Sequence, residues 1–152
     1  MKQSVFLAIG LSIGLLFSPA PSRCAGQNGI RVLVKKLHTD KGRVGCGLFN
    51  GANGFPRDES KALRVAWVPK HKHVAICDFL GVAAGTYAVT ILDDSNENGK
   101  MDFNFIGLPK KGYGFSNDAK STLSPPSFKA ASFNYDGAEL LTVTIHTVYW
   151  LH

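Results

Sequence analysis

The chain has 152 residues, 18% of them charged, with 16 glycines and a formal net charge of +6. That length holds one domain with a real core and little more. Sparse charge, frequent glycine and 11% aromatic content exclude a disordered chain and a long-helix bundle, and point to a turn-rich β protein.

The stretch from Met1 to Gly26 begins with Lys2, continues as an uncharged apolar run from Val5 to Phe17, and ends in small residues and prolines. That is the layout of a secretory signal. The run is too short to span a membrane, which takes about 20 apolar residues. Cleavage fits after Ser22, Cys24 or Gly26. The expected division is a signal peptide over 1–26 and one domain over 27–152, exported to the periplasm or secreted, with no transmembrane segment after signal removal. Arg23, where a small residue would be needed, and the lack of a leucine three positions before Cys24 argue against lipidation of that cysteine. Without Lys2 and Arg23, 15 basic residues face 11 acidic ones, a balance of +4. The basic residues are scattered, as at Lys35-Lys36, Lys70, Lys72 and Lys110-Lys111, so a nucleic-acid partner is not expected.

In chain order, Ile30–Leu37 alternates as a half-buried strand with Ile30, Val32 and Val34 on one face. Thr39–Gly42 is turn chemistry. Arg43–Asn50 follows as a strand with Val44, Cys46 and Leu48 in step. Gly51–Ser60 is a loop punctuated by glycine and Pro56. Lys61–Pro69 reads as a strand with Leu63, Val65 and Trp67 in step, and Lys70–His73 as a polar turn. Val74–Val82 and Thr86–Leu92 are further strands. A long irregular stretch then runs from Asp93 to about Pro126; its aromatics suggest that it folds back on the domain. Phe128–Tyr135 is a strand or a crossover. Glu139–Trp150 is the final strand, with Leu141, Val143, Ile145, Thr147 and Tyr149 on one face. About seven short strands without an amphipathic helix predict a single all-β domain, an antiparallel β-sandwich with one long ordered loop. Cys46 and Cys77 lie in strand-like stretches of an exported chain, which favours a disulfide over two buried thiols.

The chemistry concentrates in "DDSNENGKMDFNF", Asp93 to Phe105. Counted from Asp94, oxygen-bearing side chains fall at positions 1, 3 and 5 (Asp94, Asn96, Asn98), glycine at 6 (Gly99), a backbone carbonyl at 7 (Lys100) and a carboxylate at 9 (Asp102). That is the first two thirds of an EF-hand-type Ca²⁺ loop, in which alternate side chains on a tight turn converge on one ion. Position 12 is Phe105 instead of a bidentate Glu, so completion falls to Asp93, Asn104, Asn117, Asp118 or water, and affinity to the ~10⁻⁴–10⁻³ M of extracellular modules. A metal-free loop held by Asx-turns explains the same residues equally well. A third reading is a hydrolase using Asp93, Asp94 or Asp102 with the His71/His73 turn. Adjacent residues on an extended strand point opposite ways, which works against pairing Asp93 with Asp94. An ordered loop could present Phe105, Tyr113 and Phe115 to a partner such as an envelope protein or a glycan.

"GTYAVTILDDSNENGKMDFNFIGLPKKGYGFSNDA" (Gly85–Ala119) and "PPSFKAASF" (Pro125–Phe133) closely resemble a bacterial family of small exported proteins known as domain of unknown function 2141. "CGLFNGANGFP" (Cys46–Pro56) and "AICDFLGVAAGTYAV" (Ala75–Val89) also look like family segments. The chain departs from the family's pattern where Asp93 replaces a His, Ser95 a Glu, and Lys111 a Glu. The resemblance implies an envelope or secreted location and a transthyretin-like or immunoglobulin-like sandwich. It implies no activity. The acidic loop is also similar to calcium loops in B-type repeats of bacterial surface adhesins.

Overall fold

A computed structural model describes residues 27–120 and 124–150. The expected signal segment, 1–26, lies outside the described residues. The described residues hold eight strands: β1 (Gly29–Lys35), β2 (Arg43–Phe49), β3 (Arg64–Pro69), β4 (Ala75–Leu80), β5 (Gly85–Asp94), β6 (Tyr113–Phe115), β7 (Phe133–Tyr135) and β8 (Leu140–His146). One helical turn, α1 (Phe128–Ala131), precedes β7.

The strands form two sheets. One has the order β4-β1-β8; the other has β3-β2-β5-β6, with β7 pairing the start of β5. The inner faces share one core. Ile30, Val32 and Val34 of β1 meet Val44, Cys46 and Leu48 of β2, as alternation predicts, with Val89, Ile91 and Ile145 between them. Cys46 of β2 and Cys77 of β4 form a disulfide that joins the two sheets across this core. Their separation of 31 residues makes the bridge worth about 3–4 kcal/mol on the chain-entropy account.

Three expectations need correction. The sheets are not wholly antiparallel: β1 and β8 run parallel, Ile30 opposite Leu141 and Val34 opposite Ile145. A parallel pair cannot be closed by a tight turn, and here nearly the whole domain is the connection. At β3, the expected face of Leu63, Val65 and Trp67 is not the core face: Leu63 precedes the strand, and Leu63 and Val65 are exposed. Register decides this. Ala66 lies opposite Cys46 and Val68 opposite Val44, so Ala66 and Val68 pack inward. Trp67 instead covers Gly45, whose missing side chain makes room for the indole, with the Arg43 guanidinium 4.4 Å from the ring centre. Third, the long irregular stretch contains β6, which pairs β5 at Thr90–Leu92.

Candidate functional site

β5 runs on to Asp94 because its last residues still pair with β2, Val44 opposite Asp93 and Arg43 opposite Asp94. Strand alternation sends the two carboxylates to opposite faces, and both are buried.

Asp93 points toward the core side. Its Oδ1 accepts from Lys70 Nζ at 2.6 Å, and its Oδ2 from the Tyr149 hydroxyl. Both lysine and aspartate side chains are shielded from water. Burial, and then the bond to Asp93, hold the Tyr149 phenol well above the ordinary tyrosine range. The ring of His38 stacks on Tyr149 at 3.5 Å.

Asp94 points outward, under the acidic loop. Gly99 adopts φ +75°, a region open to glycine at little cost, and this turns its N–H onto Asp94 Oδ2 at 2.8 Å. The centre of the loop is filled by an ammonium group from the chain itself. Lys111 Nζ donates to Asp94 Oδ1 at 2.5 Å, Asn98 Oδ1 at 2.5 Å and the Lys100 carbonyl at 2.7 Å. Asp102 Oδ2 lies 3.3 Å away. Three donors and one positive charge are thereby matched with three acceptors and two carboxylates.

Four of the five sequence-predicted ligands therefore converge on one point, and Lys111 stands at it. Asn96 is the exception: its amide N–H donates to Asp102 Oδ2 at 2.9 Å. Asn98 does both, accepting from Lys111 while its amide N–H donates to Asp102 Oδ1. The bonds from Asn98 and Asn96 depress the Asp102 pKa, against some burial and with help from Lys111. Burial pushes Asp94 upward, but Lys111, the Gly99 N–H and Arg43 outweigh it and hold the carboxyl below its usual range. Among the described residues, no group of three or more His, Cys, Asp or Glu is gathered as a metal site.

The other candidates lie elsewhere. Asn104 closes a tight turn, accepting from the Ile106 and Leu108 N–H groups. Asp118 is paired with His146, 2.7 Å from its Nδ1, and Asn117 bonds the Ser132 carbonyl. The His73 ring meets the Leu37 carbonyl. Of the three aromatics expected to face a partner, Phe105 is exposed, whereas Tyr113 and Phe115 are each 8% exposed. They are covered because β6 lays them on the outer face of the five-stranded sheet, beneath the loop. There they line a groove of ≈ 890 Å³ with Met101, Phe103, Leu108 and Trp150.

Sequence reasoning missed two participants, Lys70 and Lys111. Lys70 carried no local signal. Lys111 carried one, as a cationic residue where the resembled pattern has Glu.

The family's sequence profile, described as an uncharacterized protein conserved in bacteria (DUF2141), matches residues 32–142. The chain belongs to this family. No curated protein and no solved structure matches it. The match spans the acidic loop, both lysine–aspartate pairs and the disulfide, while Tyr149 and Trp150 lie beyond it.

Proposed function

We propose that this chain is a non-enzymatic, exported binding or structural module of the cell envelope, an immunoglobulin-like or transthyretin-like sandwich whose acidic loop is ordered by its own lysine. The observation that carries this reading is the position of Lys111 Nζ, within 2.5–2.7 Å of Asp94, Asn98 and the Lys100 carbonyl. A tethered ammonium meets the charge and hydrogen-bond requirements that a divalent ion meets in a calcium loop. It needs no free-ion concentration to do so.

Calcium is the second reading, favoured by the same convergence. The oxygens of Asp94, Asn98, Lys100 and Asp102 are of the kind a hard cation takes, and the ion enters only as Lys111 withdraws. A hydrolase is less well supported. Asp93 and Asp94 point apart, and each is neutralised by a buried lysine.

Thermal melting in EDTA and then in millimolar Ca²⁺ separates the readings. A lysine-ordered loop gives the same midpoint in both media, and Lys111→Glu creates calcium dependence. At about ten times a millimolar Kd, the gain in that variant is ~1.4 kcal/mol. A calcium-dependent rise in the unaltered protein, abolished by Asp94→Ala with Asp102→Ala, would instead establish the calcium reading.

A further inference from the structure

Beyond the lysine-held base, the loop continues as a short hairpin that points apolar side chains into solvent. Phe105 is 98% exposed, Ile106 63% and Phe103 59%. This exposure is built. Phe103 bridges Pro109, the Lys110 N–H bonds the Asp102 carbonyl, and the Asn104 N–H bonds the Leu108 carbonyl. Asn104 Oδ1 then takes the N–H groups of Ile106 and Leu108 at 3.1 and 2.9 Å. The N–H groups of Asn104, Ile106, Gly107 and Leu108 are thus satisfied within the turn, which lowers the cost of bringing the tip into an apolar medium. Exposed apolar side chains on a hydrogen-bonded support mark an interaction site.

The flanks name the medium. Lys100 and Lys110, both exposed, flank the hairpin in the chain. Asp102, the acidic residue between them, directs its carboxylate to Asn96, Asn98 and Lys111. The protruding wedge therefore carries apolar residues at its apex and positive charge at its shoulders. A rigid protein partner needs a socket of matching shape. A lipid headgroup layer deforms around a wedge, and anionic headgroups complement the shoulders.

We infer that the Phe103–Pro109 hairpin is a membrane-contact tip, which inserts Phe105 and Ile106 into the interface of an anionic bilayer while Lys100 and Lys110 engage the headgroups. This names a partner for the proposed envelope module and rests on that reading only for the place of contact. The calcium melts report the base of the loop and vesicle binding reports its tip, so either can fail alone.

The test places the reporter at the tip, because the apolar N-terminal run is common to every variant. In the full chain, Phe105→Trp emission is followed on addition of phosphatidylcholine vesicles with or without phosphatidylglycerol, against the unaltered protein as background for Trp67 and Trp150. The expected result is a blue shift and quenching by brominated acyl chains on the phosphatidylglycerol vesicles, both weakened by salt. Adding Lys100→Glu with Lys110→Glu suppresses the shift. Independently, Phe105→Ser with Ile106→Ser lowers vesicle affinity by about tenfold at an unchanged melting midpoint. No shift on anionic vesicles, or unchanged affinity of the serine variant, overturns the inference and leaves a protein socket as the occupant; an equal shift on neutral vesicles overturns the selection of anionic headgroups by Lys100 and Lys110.

Discussion

Asp93 and Asp94 are neighbours in the chain, both buried, both bonded to a lysine, yet the two pairs hold very different things together. Lys70–Asp93 closes the core side of β5, where sheet pairing, the disulfide and Tyr149 already fix the surroundings. Lys111–Asp94 sits beneath a loop whose centre has no sheet ladder to organise it. The same chemistry serves as part of the core in one place and as the nucleus of a loop in the other. A buried ion pair's importance thus depends on what else constrains its neighbourhood.

The largest expected effect follows on the core side. Lys70→Met leaves Asp93 without its cation where water cannot replace it, and should cost about 3–5 kcal/mol in urea unfolding. Lys111→Met should cost less, about 1–2 kcal/mol, because the loop can open and hydrate Asp94. Its signature is local: the amides of Gly99, Asn104 and Lys110 should exchange faster with solvent. Equal global losses from the two variants would erase the distinction.

Acid gives a smaller, graded version of the second effect. Asp94 and Asp102 titrate below the ordinary carboxylate range in the folded chain. Their contribution is therefore fully present above the unfolded value, about pH 4. It is lost as pH falls through the lower folded values, where the folded carboxylates too take up protons. The Gly99 amide resonance, followed through acid titration, should report the loop loosening. The smallest effect belongs to a surface pair. Asp118 and His146 are both well exposed, so Asp118→Asn should change stability by less than about 1 kcal/mol in the same urea assay.

Much of the fold was legible because alternation is a local signal. Ile30, Val32 and Val34 declare their face within one heptapeptide, and so do Val44, Cys46 and Leu48. β3 was misread because it is apolar on both sides, and only its register with β2 selects Ala66 and Val68. β6 was hidden because three residues between Gly112 and Ser116 carry no periodicity. Its central Gly114 is needed where Ile145 of β8 crosses close beneath. At the site, the converging oxygens could be read from their spacing. The group they converge on could not, because Lys111 arrives from nine residues beyond Asp102 and its reach depends on the hairpin between them.

The first strand lies between β4 and β8, and β8 is the last strand of the domain. A polypeptide emerging amino end first can pair β1 on one side early, but its other edge stays open until residues 140–146 arrive. Closure is thus deferred until β8 has emerged, a long-range step of the kind that slows folding. The seven residues of β8 thus act as the latch of the three-stranded sheet.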